Sequence, residues 1–183
     1  MGFKIGITLE STIKDSRGNV ISYRSPVPCH SLLKQFIQFL LVQLSQSAQV
    51  IRRTDNTTVS ITPHAYNLHA NPAAGSTALG ILIGSGTTEV TMTDYKLEAQ
   101  IITNVVHGTQ AYSLENPNSA TWRVVISRPF TNNTGSSFEI NEVALYSYGS
   151  VAGYYYCIER TLYTVVVPPG ASVTLTYLIT ISL

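Results

Sequence analysis

Gly84-Ser85-Gly86-Thr87-Thr88 closes an apolar run, Leu79 to Ile83, and a glycine turn at a strand end is where phosphate-binding loops sit. A dinucleotide loop needs a third glycine and a helix leading to a ribose-binding acid. Here Glu89 stands in the loop, and neither the glycine nor such a helix follows. A Gly-Lys-Ser/Thr ending is absent, and Ser85 lacks the G-x-S-x-G setting of a hydrolase nucleophile. These glycines read as a tight turn. Glu139 and Glu142 could pair as general acid and base, but strand alternation sends them to opposite faces of an apolar segment. Accepting hydrogen bonds from backbone groups freed at a bulge suits them better. His64 and His69 lie in a Pro- and Asn-rich loop without the nearby Cys or carboxylate a metal site needs, and read as solvent-facing. Cys29 and Cys157 have neither redox-pair nor zinc spacing and read as small buried side chains. No catalytic residue, cofactor or metal is expected, and the chain is not expected to be an enzyme.

The other chemistry is aromatic. Tyr146, Tyr148, Tyr154, Tyr155 and Tyr156 surround a Gly- and Ser-containing loop at 147–153. Tyrosines about a loop suit a protein interface or sugar stacking, although alternating Tyr is also ordinary strand composition. Sequons at Asn56 and Asn132 carry no weight, because the N-terminus lacks the apolar core and small-residue site of a secretory signal.

Positioning these residues falls to strands. Phe3, Ile5, Ile7 and Leu9 alternate with polar residues, Asp15 to Asn19 supplies a turn, and Val20 to Tyr23 begins a return strand. Pro26-Val27-Pro28 then breaks the pattern, so residues 1–28 read as an extended hairpin arm and 29–183 as the main domain. A helix is expected over 30–47, with Ser31 as N-cap and Leu33, Phe36, Ile37, Leu40, Leu41 and Leu44 on its apolar stripe. Leu32 and Phe39 widen that stripe beyond one face, which predicts a helix covered by its own sheet and by a neighbour. Beyond it, short strands are expected around an Asp55-Asn56 turn, at Leu79 to Ile83, and at Trp122 to Ile126 ending before Pro129. Between Phe138 and Tyr146 the apolar parity slips by one, the mark of a bulge. Pro168-Pro169-Gly170 suits a type II turn, and Val173 to Ile181 alternates cleanly. The fold class is mainly β: an antiparallel sandwich of jelly-roll or Ig-like type, with one N-terminal amphipathic helix and the hairpin arm.

Charge narrows the partners. Eleven basic against ten acidic residues give a net charge of +1, and only 11% of residues are charged. That excludes a disordered tail and gives no clustered positive charge for nucleic acid. The longest apolar run, Leu32 to Leu44, is too short and too glutamine-rich to span a bilayer, so no membrane partner is expected. A surface this poor in repulsive charge favours copies meeting one another.

Several segments together carry a resemblance. Ile81 to Thr88, then Thr93 to Ile101 with its D-x-x-L pattern, then Phe138 to Tyr146, then Arg160 with Val165 to Gly170 and Leu175 to Ile179, are similar in order to motifs of tailed-bacteriophage virion proteins. The apolar helix at Ser31 to Phe36 resembles the segment preceding those motifs, and Ala144 departs from the glycine common there. The resemblance covers roughly 28–183. It implies a structural component of the phage particle (head surface, tail or fibre), made in the host cytoplasm and assembling with itself and other virion proteins. Phe3, Ile5, Ile7, Leu9, Phe39, Tyr148 and Tyr154 are the expected assembly contacts. The alternative is a receptor- or glycan-binding module at a virion tip that uses the Tyr-rich loop 146–156.

Overall fold

The structure, a computed structural model, describes residues 4–29 and 31–182. Its elements in chain order are β1 (Lys4–Lys14), β2 (Val20–Pro28), β3 (Ser31–Leu32), α1 (Lys34–Ser45), β4 (Gln49–Arg52) and β5 (Thr58–Ile61), then β6 (Gly80–Gly84) and β7 (Val105–His107). They continue with β8 (Ala111–Asn118), β9 (Thr121–Asn132), β10 (Phe138–Tyr148), β11 (Tyr155–Val167) and β12 (Ser172–Ser182). All pairings are antiparallel. One sheet has the order β2-β1-β12-β9-β7 with β8 also on β9, a second has β3-β11-β10-β6, and β4 pairs with β5. The two large sheets share one core, in which Leu9, Phe130, Val173 and Tyr177 of the first meet Ile83, Val143, Tyr156 and Tyr163 of the second.

The turns form where their chemistry predicts. The Asp15 carboxylate accepts from the Arg17 and Asn19 amides, each at 2.9 Å, and closes the β1–β2 hairpin. Asn56 takes positive φ between β4 and β5, and Gly170 does so between β11 and β12. The expected bulge is present, since the register of β10 against β11 shifts between Ile140 and Glu142. It puts Ile140, Val143 and Leu145 into one core cluster.

Three expectations need correcting. The hairpin is not a free arm: β1 is registered against β12 from Lys4↔Ser182 to Lys14↔Ser172, and Leu9 and Ile13 are core residues. The helix is shorter than 30–47 and turned the other way. Ser31 lies in β3 rather than capping it, Leu33 is the N-cap, and the buried positions are Gln35, Phe39 and Val42. A helix apolar almost all round does not specify its inner side by periodicity. The choice is made by the edge contact of Phe39 on Tyr156, with ring centroids 4.9 Å apart, and by the Gln35 amide donating to the Asp94 carbonyl. Finally, β9 runs through Pro129, which pairs with Thr174; the proline has no N–H for the ladder, but its carbonyl accepts from the Gly108 amide at 2.9 Å.

Candidate functional site

The glycine turn and Glu142 meet Asp94, Glu98 and Arg160 in one buried network. Arg160, in β11, places Nε 2.8 Å from the Glu142 carboxylate of β10 and a terminal nitrogen 2.7 Å from Asp94. Its other terminal nitrogen donates to the Thr88 carbonyl at 3.0 Å and lies 3.9 Å from Glu98. Glu142 is fully buried and also accepts from the amides of Gly86, Glu98 and Ala99. Glu98 in turn accepts from the Thr87 and Thr88 amides at 2.9 and 2.8 Å. The Tyr146 hydroxyl accepts from the Leu97 amide, and burial pushes its own ionisation well above the ordinary phenol range. Burial works to raise the Asp94 carboxyl. Hydrogen bonds from Thr91 and Arg160, with the Arg160 charge, outweigh that and hold it below the usual carboxylate range.

This arrangement clasps a segment that has almost no ladder of its own. Between Gly84 and Ile101 the one bridge among the described residues is the isolated Gly84↔Gln100, so several backbone amides there, those of Gly86, Thr87, Thr88, Glu98 and Ala99, are met by side-chain acceptors. The glycines are explained by the same geometry. A Cβ on Gly84 would sit 2.4 Å from Glu142 Oε1 and 2.8 Å from the Ala99 carbonyl, and one on Gly86 2.6 Å from Glu142 Oε1. They admit a carboxylate of the chain itself where a phosphate loop would admit a ligand. Glu142 thus has a structural role, but the amides it accepts from belong to the 86–99 segment and not to the bulge.

A second site lies at the C-terminal end of β10. Residues 62–70 and 147–153 form the walls of a cleft of about 390 Å³, lined by His64, Tyr66, His69, Tyr148, Gly149 and Ser150 among others. The rings run in series: His64 to Tyr66 at 5.2 Å, Tyr66 to His69 at 5.9 Å, His69 to Tyr148 at 6.0 Å and nearly parallel, and Tyr148 to Tyr155 at 4.9 Å. His64 is exposed as expected, whereas His69 is half-buried between Tyr66 and Tyr148.

No family model matches this chain, nor does any curated protein or any solved structure. Function therefore rests on the surfaces themselves.

Two of those surfaces are apolar. Ile37, Leu40, Leu41 and Leu44 form the outward face of α1, with Leu44 75% exposed. The inner face of the large sheet also continues past its cover. The row Leu9–Tyr177–Ile126–Tyr112 borders the core, Ile7–Ile179–Val124–Leu114 is partly open, and Ile5–Ile181–Trp122 is open, with Ile5 62% and Trp122 51% exposed. Directly paired residues share a face, so these rows form one uncovered extension of the core.

The expected assembly contacts separate accordingly. Ile5 is on the open row, Ile7 on the partly open one, and Phe3 lies outside the described residues. Leu9 and Phe39 are buried in the chain's own core and are unavailable to a neighbour, because the hairpin and the helix pack in cis. Tyr148 lines the aromatic cleft. Tyr154 is apart from the lining, with the Arg53 guanidinium 3.7 Å from its ring centre. Sequence reading weighed Glu142 by itself and missed its pairing with Arg160. Its signal is a pair of charged residues in each of two mostly apolar paired strands, Glu139 and Glu142 in β10 and Glu159 and Arg160 in β11. Among the described residues there is no group of three or more His, Cys, Asp or Glu that could hold a metal ion, and no helix long and apolar enough to cross a membrane.

Proposed function

We propose that the chain is a structural subunit of a tailed-bacteriophage particle, a β-sandwich that assembles with copies of itself and with other particle proteins. The observation that carries this reading is the apolar surface left open on both kinds of element, the outer face of α1 and the uncovered rows of the large sheet. A near-neutral molecule with such faces lowers its free energy by covering them with a surface of the same character. The motif resemblance supports the particle as the setting, because its segments, from Gly84 through Asp94, Leu97 and Tyr146 to Arg160, meet in the clasp that shapes this fold.

The test is the mass and shape of the purified chain as its concentration is raised, by light scattering and negative-stain microscopy. Assemblies that grow with concentration are expected. The double variant Leu41→Ser, Leu44→Ser should melt within a few degrees of the parent, since both positions face outward, yet stay smaller at every concentration. A parent chain that stays monomeric throughout, or a variant that assembles as well as its parent, overturns the proposal.

A further inference from the structure

The cleft between 62–70 and 147–153 shares no lining residue with the Arg160 clasp, and only His69 with the apolar groove over Ile126, Val124 and Ile179. We propose that it binds a neutral saccharide ring, with Tyr66 as the stacking platform. Its volume, about 390 Å³, lies within the range of about 300–1,000 Å³ typical of small-ligand sites. One wall carries the rings of His64, Tyr66 and His69, and the other carries Tyr148 with Gly149, Ser150, Ala152 and Gly153, whose small side chains leave room for a ring. None of the lining residues is Lys, Arg, Asp or Glu, so the cleft offers a charged ligand no permanent counter-charge. A sugar ring suits these walls, because its C–H face packs on an aromatic face while its hydroxyl rim meets the polar tips of Tyr and His.

The cleft is also held in shape before any ligand arrives. The Tyr148 amide donates to the His69 carbonyl at 2.8 Å, and the Thr62 amide donates to Ser150 Oγ at 3.1 Å, so both walls are tied together. Behind them, the Asn67 side-chain amide donates to Gln43 Oε1 of α1 and to the Thr62 carbonyl, both at 2.9 Å. Preorganised walls reduce the ordering cost of binding, while Tyr66, 60% exposed, keeps much of its surface open. The two histidines do not make this a metal site. The Tyr66 ring neighbours each of them, and His64 Nδ1 already accepts the Tyr66 amide at 3.1 Å. Of the tyrosines in the 146–156 segment, Tyr148 alone lines the site, and Tyr66 and His69 come from a loop distant in sequence.

The experiment is titration of the full chain, followed by ligand-detected NMR, with methyl glycosides of glucose, galactose and N-acetylglucosamine. A sialoside, a sulfated sugar and a nucleoside serve as competing classes. Saturable binding of at least one neutral glycoside is expected. Tyr66→Ala should weaken it about tenfold or more, whereas Tyr154→Ala should leave it within about twofold. If Tyr66→Ala does not fold, Ala152→Leu, which fills the cleft from the other wall, should abolish binding with an unchanged melting temperature. The proposal is overturned if no neutral glycoside binds, if only the anionic sugars or the nucleoside bind, or if binding survives loss of Tyr66 or filling of the cleft. The assembly state is read separately and does not bear on this outcome.

Discussion

Arg160 shows how a single charge organises this molecule. Its side chain is nearly buried, and Glu142, which it touches, is fully so. Deleting one member of such a pair leaves the other charge uncompensated in a medium that solvates it poorly, which typically costs about 3–5 kcal/mol. Arg160→Met is therefore expected to lose that much in urea unfolding and to release the 85–99 segment to proteolysis; a loss below about 1 kcal/mol would contradict the clasp. Glu159, one residue earlier, faces the other way and makes no ion pair among the described residues. Burial pushes its carboxyl up to about 8, although the hydroxyls of Thr161 and Tyr177 donate to it. Unfolded, the group titrates near its ordinary value of about 4.3, so between the two values the folded form holds a proton that the unfolded form has lost. Its effect on stability is thus least harmful below that range and grows more unfavourable as pH rises toward about 8, then levels off. Glu159→Gln, which mimics the protonated acid, should gain on the parent as pH is raised through that window. Parallel stability curves for the two proteins would refute the assignment. The clasp was half legible in sequence: Glu142 stood out as structural, but its partners at 86, 98, 99 and 160 are brought to it only by chain folding.

At the scale of elements, β1 is the clearest case of a pattern read correctly and placed wrongly. The alternation of Ile5, Ile7 and Leu9 predicts a strand, and the Asp15 turn predicts the hairpin. Nothing in that alternation says which edge the strand joins, because a backbone ladder accepts any extended partner. Here it joins β12 along its length and delivers Leu9 and Ile13 to the core. Arg24 of β2 fastens the hairpin further by donating to the Thr164 carbonyl at 2.7 Å. Deleting residues 1–24 should consequently abolish cooperative unfolding and near-ultraviolet dichroism, rather than yield a folded domain. A truncated chain that still melts sharply near the parent temperature would show that the strand is dispensable. The helix teaches a related lesson. With apolar residues nearly all round α1, the inner face is selected by shape and by one amide, and Ile37, Leu40, Leu41 and Leu44 are left outside.

At the scale of the whole molecule, magnitudes decide which surface can drive association. Fully covering an Ile or Leu side chain is worth roughly 1.5–3 kcal/mol, so four half-exposed residues on α1 offer roughly 3–6 kcal/mol. Association costs an estimated 4–15 kcal/mol in lost freedom, which the helix face alone does not clearly offset. The open rows headed by Ile5, Ile181 and Trp122 supply the additional area, so the expected assemblies need both faces and should weaken in steps as each is made polar. Sequence by itself determined what depends on near neighbours along the chain: strand alternation, turn chemistry, the slip in β10, low charge and a helix apolar beyond one side. Tertiary structure alone decided that the arm is a sheet strand, which side of α1 is inside, that the Gly-Ser-Gly turn holds a carboxylate, and that Tyr66 and His69 meet Tyr148. The reason is physical. Local periodicity records which residues avoid water, whereas their partners are chosen by packing and hydrogen bonding between segments far apart in the chain, and no local pattern encodes that choice.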